Sequence, residues 1–134
     1  MRKEAAVKHI SWTIEQTGIL CWALLLVMMI LSSLVPGGGR SSEIMYLDKV
    51  FHFATNCAAT MLPLIFIHNR RLAIILAALI PVLGFGLEYM QRGISGRTFS
   101  PEDLIANNLG VLVGVLAGCS FRLYRRFKRK GEKK

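Results

Sequence analysis

The sequence predicts an all-α integral membrane protein, a four-helix bundle with both termini on the cytoplasmic side. Apolar residues make up 53% of the 134 positions, more than is usual in a water-soluble domain of this length. They fall into four long uncharged blocks. The Lys and Arg residues behind the net charge of +9 lie at the chain ends and in short connectors. Apolar blocks that alternate with basic connectors are typical of helices that cross a bilayer.

Each block is close to the length that a membrane span needs, since about 20 residues at about 1.5 Å per residue cover the hydrocarbon core. The predicted spans of this single domain, residues 1–134, are residues 15–35, 50–67, 72–91 and 103–122. The first block starts well inside the chain and has no small-residue cleavage site after it, so we expect a retained anchor and not a cleaved signal peptide.

Local signals support the later spans. Pro63 and Pro81 lie inside the second and third spans and are expected to bend them. The third span reaches full length if its helix continues through Gln91. Ser100 and Pro101 form a typical helix start, with Ser as the N-cap and Pro in the first turn.

The distribution of basic residues predicts the orientation. Most of the 17 Lys and Arg residues lie near the two termini and in the hairpin 68–71. The opposite side holds only Arg40, Lys49, Arg92 and Arg97. The positive-inside rule therefore places the termini, the hairpin and a basic tail (123–134) in the cytoplasm of a bacterial inner membrane protein.

The basic tail has alternative interpretations as a nucleic-acid arm or a phosphoinositide-type binder. We favour a topology determinant that also rests on the anionic headgroups of membrane lipids. No nucleic-acid partner is expected, because a nucleic-acid module would collect Lys and Arg on one folded face.

The three cysteines do not indicate a metal or redox motif. Cys21, Cys57 and Cys119 each lie inside an apolar run, with no CxxC pair and no His at zinc-finger spacing. We expect them to face lipid or to pack between helices.

Polar residues at membrane depth are the most informative feature of the chain. An Asp or Arg at the centre of a span costs roughly 2.5 to 3.5 kcal/mol on insertion scales, so such residues need a reason. Here they occur where the second span opens, the third closes and the fourth opens, which is one side of the membrane in the predicted orientation. The residues are Asp48, Lys49, His52, Glu88, Gln91, Asp103 and Asn107.

Their spacing predicts one shared cavity at the outer membrane face. Within each helix the main polar residues are three or four positions apart, so they share a face. Arg97 lies in the loop before the fourth span, where it can pair with Glu88, with Asp103 or with an anionic ligand. Ordinary polarity at a helix end explains any one of these residues, whereas the whole set favours a functional cluster.

A glycine stripe marks the fourth span. Gly110, Gly114 and Gly118 recur every fourth residue, which removes side chains from one face and lets a neighbouring helix approach closely. The stripe can serve packing within the chain or a subunit contact, and a homodimer is plausible because four spans barely enclose a cavity.

Three ordered motifs carry a family resemblance: D-K-V-F-H-F at 48–53, E-Y-M-Q at 88–91 and R-T-F-S-P-E-D-L-I-A-N-N-L-G at 97–110. With Gly114 beyond them, these motifs resemble the VanZ-like family of bacterial membrane proteins, from Asp48 to about Gly118. The resemblance implies a link to the cell envelope, and the family is named for a protein associated with teicoplanin resistance. The family pattern often has an acidic residue three positions after the Arg, where this chain has Ser100. By position the motif residues would be Asp48, Lys49, His52, Glu88, Gln91, Arg97, Asp103 and Asn107.

Three functions fit these residues. In an enzyme acting on an envelope lipid, glycolipid or polyprenyl-phosphate intermediate, His52 oriented by Asp48 would transfer a proton. Glu88 or Asp103 would be a second acid or base or hold a divalent metal.

In the same enzyme, Lys49 and Arg97 would hold phosphate, while Gln91 and Asn107 would bind the ligand. No nucleophile elbow, P-loop or zinc-protease motif is present, so the reaction type stays open. The alternative is a non-catalytic module that binds a lipid headgroup or glycopeptide. A proton or ion pathway is disfavoured because the polar groups gather on one side of the membrane.

Overall fold

The structure is a computed structural model that describes residues 2–35, 42–94 and 99–132, with side chains from residue 14 in the first range and from residue 46 in the second. These ranges contain four long helices: α1 (Arg2–Leu34), α2 (Ser42–Phe66), α3 (Arg70–Met90) and α4 (Pro101–Gly131). A short 3-10 turn, Gln91–Gly93, follows α3. No strand occurs in the described ranges, so the predicted all-α class is confirmed.

Three of the helices are long and apolar enough to cross a membrane. The qualifying segments are Ile14–Leu34, Arg70–Gly93 and Pro101–Gly131. The remaining helix, α2, has 25 residues and therefore a length of about 37 Å at about 1.5 Å per residue. It is not among these segments, and Asp48, Lys49, His52 and Asn56 interrupt its hydrophobic residues. The structure thus supports a membrane protein with three clearly apolar helices and one helix of mixed character.

Three helices extend well beyond the predicted span limits. The helix α1 begins at Arg2, ahead of residue 15. The helix α2 begins at Ser42, ahead of residue 50, so Asp48 and His52 lie within the helix and not at its opening. The helix α4 continues to Gly131, through most of the segment predicted as a basic tail. Hydropathy marks the part of a helix that suits lipid, whereas the helix itself continues for as long as its backbone hydrogen bonds do.

The starts of α3 and α4 are fixed by side-chain caps. The Oγ of Ser100 accepts a hydrogen bond from the Asp103 amide at 3.2 Å, and Pro101 follows in the first turn. The Oδ1 of Asn69 accepts bonds from the amides of Arg71 and Leu72 at 3.0 and 3.2 Å. These caps satisfy amides that have no partner within the helix.

The helix α2 is central, since it packs against α1, α3 and α4. Its contacts with α4 show that the two helices run parallel: Phe53 faces Gly110, and Leu64 faces Gly118. The helix α1 runs antiparallel to α2, because Gly18 near the start of its apolar part packs against Phe66 at the end of α2.

A hydrogen bond fixes α1 near the middle of α2. The indole Nε1 of Trp22 donates to the Ala59 carbonyl at 2.8 Å. Ala59 belongs to the main apolar core, together with Met29, Ile80 and Leu87.

The distribution of polarity is the reverse of that in a water-soluble bundle. Large apolar side chains such as Leu20, Leu24, Leu79 and Val82 point away from the other helices and are more than half exposed. Polar side chains lie inside: Ser33, His52, Thr55, Asn56, Thr60, Glu88, Gln91 and Asn107 are buried. An apolar exterior around interhelical polar contacts is what lipid solvation favours. The cysteines are free thiols, with Cys21 and Cys119 exposed and Cys57 half-buried.

Candidate functional site

A histidine and two aspartates from α2 and α4 converge on one point. One donor atom from each of Asp48, His52 and Asp103 lies within 4.8 Å of the others. His52 is buried with 8% of its surface exposed, and the two aspartates are half-buried. The chain therefore brings an imidazole and two carboxylates together at the edge of its interior, where neither bulk water nor lipid surrounds them fully.

Local structure explains this convergence. Asp48 and His52 lie one helical turn apart on α2 and so share a face. Asp103 lies in the first turn of α4, which Ser100 caps. An acidic residue is favoured there by the partial positive charge of the helix N-terminus. Because α2 and α4 run parallel, these two N-terminal regions lie side by side.

One turn further along, two asparagines join the same helices. The Nδ2 of Asn56 donates to the Oδ1 of Asn107 at 2.6 Å, and both side chains are buried. The same amide also donates to the His52 carbonyl at 2.9 Å. This contact places the predicted ligand residue Asn107 directly below the cluster, in contact with α2.

Asn56 is not among the site residues predicted from the sequence, yet its spacing is a usable signal. Asp48, His52, Asn56 and Thr60 follow one another at intervals of four, which is one polar stripe along α2. Asn56 and Thr60 are 1% and 0% exposed. In the described part of the chain, the Oδ1 of Asn56 and the Oγ1 of Thr60 are buried without a hydrogen-bond partner.

Glu88 links the end of α3 to the beginning of α4. Its side chain is 1% exposed, and its Oε1 accepts a hydrogen bond from the Ser100 amide at 2.7 Å. Ser100 in turn caps the helix that carries Asp103. The predicted acid Glu88 therefore lies next to the segment that presents Asp103.

Of the two predicted phosphate-binding residues, the structure describes Lys49. Lys49 forms an ion pair with Glu102 in the first turn of α4, at the surface beside the cluster. Because Glu102 is exposed, solvent screens the pair and an incoming anion can compete for the ammonium group. Arg97 lies outside the described residues.

Gln91 is directed to a different helix. Its side chain is 2% exposed, and its Nε2 donates to the Ser33 carbonyl at the end of α1 at 3.3 Å. This bond joins the ends of α1 and α3. None of the described hydrogen bonds joins Gln91 to the His52 cluster, so its predicted ligand-binding role has no support from these contacts.

The glycine stripe faces α2. A Cβ on Gly110 would overlap the Phe53 carbonyl oxygen, and one on Gly114 would lie 2.5 Å from that of Cys57. At Gly118 the nearest atom is the Leu64 Cβ, at 2.7 Å. The stripe therefore lets the backbones of α2 and α4 touch, and this close contact brings His52 and Asp103 together.

Chemically, the cluster offers an imidazole that can take up and release a proton and two carboxylates that can orient it or share a cation. These are the residue types of general acid–base sites and of sites for divalent metal ions. The parallel pair α2 and α4 supplies all three.

Comparison with known proteins agrees with this architecture. A family profile described as VanZ/LLP1 matches residues 7–122, which is most of the chain and includes the greater part of each helix. Comparisons with curated proteins and with solved structures gave no match. The match extends well beyond the three motifs at 48–53, 88–91 and 97–110, and the chain belongs to the VanZ/LLP1 family.

Proposed function

We propose that this chain is a four-span protein of the bacterial cytoplasmic membrane with both termini in the cytoplasm. The helix α2, second in the chain, would be a span in addition to the three clearly apolar helices. Its length suffices, and its polar residues His52, Asn56 and Thr60 are buried against other helices, so lipid would meet mainly its apolar side chains. The excess of Lys and Arg near the termini and in the 68–71 hairpin supports the orientation.

In this orientation the His52 cluster lies at the outer face of the membrane. We infer that it acts on an envelope lipid or a polyprenyl-phosphate-linked intermediate. The observation that carries this proposal is the approach of Asp48, His52 and Asp103 within 4.8 Å, with the imidazole buried. Ionisable residues inside a membrane are costly to insert, so a cluster of them on facing helices indicates a functional role.

The residues support a proton-transfer role. His52 would accept a proton from the attacking hydroxyl or water and return it to the leaving group, and Asp48, one turn earlier on the same face, would orient the ring. Lys49 would exchange Glu102 for the phosphate of the lipid, because the surface pair is solvated and readily opened. Turnover of a lipid-linked envelope precursor would also account for a contribution to teicoplanin-type resistance, which the family name suggests.

The test uses purified protein in detergent with labelled polyprenyl-phosphate lipids and glycolipids from a bacterial envelope. We expect a labelled product with the native chain and at least about 100-fold less with His52→Gln or Asp103→Asn, in line with the usual contribution of a general acid or base. Matched controls are His68→Gln and Glu132→Gln, which replace a histidine and an exposed carboxylate far along the chain from the cluster. Both controls should keep native turnover.

The same experiment distinguishes catalysis from binding. If no lipid is turned over but one binds saturably, and binding is lost in the His52 and Asp103 variants, the chain is a non-catalytic module for a lipid headgroup or glycopeptide. If neither turnover nor binding depends on these residues, the cluster has no role in lipid chemistry and the proposal is wrong.

A further inference from the structure

We propose that Asp48, His52 and Asp103 bind one divalent transition-metal ion, Zn²⁺ or Mn²⁺, between α2 and α4. Their donor atoms all lie within 4.8 Å of one another. For metal–ligand bonds of about 2.0–2.2 Å, two donors on opposite sides of an ion are about 4.2 Å apart and neighbouring donors are closer. Small side-chain rotations therefore suffice to bring all three donors to bonding distance.

The environment of His52 supports a ligand at this point. The side chain is more than nine-tenths buried, and no hydrogen bond joins its ring nitrogens to the described residues, although buried polar groups normally have partners. Its backbone carbonyl, by contrast, accepts bonds from the Asn56 amide and the Thr55 hydroxyl. A metal ion coordinated by the imidazole would provide the missing partner. It would also offset the repulsion between the two nearby carboxylates.

The scaffold under the cluster is preorganised. The Asn56–Asn107 hydrogen bond at 2.6 Å fixes the rotation of α2 against α4 one turn below the ligands. Gly110 keeps the two backbones in direct contact at the same level. Ligands on two helices held this rigidly lose little entropy when an ion binds, which is what a metal site requires of its support.

The donor set selects the class of ion. Ca²⁺ and Mg²⁺ prefer sites made entirely of oxygen ligands, whereas an imidazole suits Zn²⁺ and related transition metals. Three protein ligands leave at least one coordination position open for water or a substrate oxygen. The part of this inference that concerns substrate rests on the proposed function, since a phosphate oxygen of the lipid would take the open position. Binding of the ion itself does not depend on it. In the metal-bound chain His52 would be a ligand and no longer the proton acceptor, so activation of the water or hydroxyl would fall to the ion.

Metal binding can be measured without turnover. The full chain is purified in detergent through a tag that contains no histidine, stripped with a chelator, and dialysed against Zn²⁺, Mn²⁺ or Mg²⁺. We expect about one Zn²⁺ or Mn²⁺ per chain and weaker binding of Mg²⁺. Asp48→Asn, His52→Gln and Asp103→Asn should each lower the affinity by at least about tenfold. His68→Gln and Glu132→Gln should bind as the native chain does.

A second readout separates lost ligands from lost fold. Circular dichroism should show that the variants remain helical. In the native chain, electron paramagnetic resonance of bound Mn²⁺ should detect one coordinating nitrogen, which disappears in His52→Gln. Absence of saturable binding by the native chain, or equal binding by all three variants, would overturn the metal site.

The outcomes for the metal site and for the proposed function are distinct. Failure of the native chain to bind Zn²⁺ or Mn²⁺, together with lipid turnover that depends on His52 and Asp103, would refute the metal inference and leave the proposed function standing. Stoichiometric metal binding through the three residues, with no turnover or binding of any envelope lipid, would support the metal site and refute the proposed function.

Discussion

Asn56 illustrates at the scale of single residues how this chain uses polarity inside its bundle. Its amide bonds the Asn107 side chain on α4 and the His52 carbonyl on its own helix. Without this pairing the amide would lie in hydrocarbon with no hydrogen-bond partner, so the pairing stabilises the contact between the helices. A hydrogen bond also requires a particular orientation of its two groups. The bond thereby determines which face of α2 meets α4.

A double-mutant cycle on this pair tests its contribution. We expect Asn56→Ala and Asn107→Ala to be coupled by about 0.6–1.7 kcal/mol, the range found for hydrogen bonds between membrane helices. Unfolding in detergent of the native chain, the two single variants and the double variant gives the coupling free energy. Strict additivity of the single changes would show that the amide pair contributes no interaction of its own.

Some of these residues can be predicted from the sequence and others cannot, for identifiable reasons. Helical spacing places Asp48 and His52 on one face, and the start of α4 places Asp103 near them. Asn56 is missed by hydropathy, which hides a single amide in an apolar block, and only its four-residue spacing from His52 marks it. The partner of Gln91 could not be predicted, because its bond to Ser33 depends on how α1 and α3 meet in space.

At the scale of elements, the pair α2 and α4 is held by its small residues. A Cβ at Gly110 would collide with the Phe53 carbonyl, which is backbone and cannot rotate away. At Gly86 on α3, an added Cβ would have nothing within 4 Å, and this glycine therefore offers a matched control.

We therefore expect Gly110→Ala to destabilise the bundle by about 1–3 kcal/mol, the usual cost of overpacking. Gly86→Ala should be neutral or slightly stabilising, because Ala has the higher helix propensity. Thermal unfolding of both variants in the same detergent measures the difference. Equal midpoints would mean that α2 and α4 do not touch at Gly110.

The end of α2 depends on a residue from another helix. Arg122 of α4 donates from its guanidinium to the carbonyls of Leu64 and Ile67, which lie in the last turn of α2 and just after it. Helix C-termini have carbonyls without partners in the helix, and a cation near them is favoured. Arg122 is thus a cap that one helix supplies to another.

Replacement of this cap should loosen the end of the α2–α4 pair at Arg122. Arg122→Gln should lower the free energy of unfolding by about 1–2 kcal/mol, within the range for hydrogen bonds that involve a charged group. Arg126→Gln, at an exposed position one turn further along, is the control. The two variants remove the same charge from the same helix, so any difference between them measures the cap and not the topology signal.

At the scale of the whole molecule, hydropathy predicts the number and order of the helices but not their limits. Four uncharged blocks correspond to four helices because apolar side chains are stable in lipid and a helix satisfies its own backbone hydrogen bonds there. The extra turns of α2 before Val50 and of α4 after Arg122 mix charged and apolar residues, and nothing in a hydropathy pattern marks where such turns end. The parallel pairing of α2 with α4 is also beyond the pattern, since neighbours in a bundle are chosen by packing.

The proposed topology makes a direct labelling prediction. In a chain whose native cysteines are replaced, Tyr46→Cys on α2 should react with a membrane-impermeant thiol reagent in intact spheroplasts. Tyr124→Cys near the end of α4 should react only after the membrane is opened. Both tyrosines are more than half exposed, so burial does not limit either reaction. Labelling of both sites from the same side would contradict four spans with cytoplasmic termini.

The parallel course of α2 and α4 has a consequence for biosynthesis. Two parallel helices cannot be joined by a tight hairpin, so in the proposed topology α3 would first carry the chain back across the bilayer. While the ribosome is still making α3 and α4, the polar stripe of α2 has no α4 to cover it. In the proposed topology α2 would therefore stay next to the insertion machinery, or pack against α1 through the Trp22–Ala59 hydrogen bond, until α4 is inserted. Synthesis halted before Pro101 would leave a protein without its His–Asp cluster and with an unshielded segment that quality-control proteases can recognise.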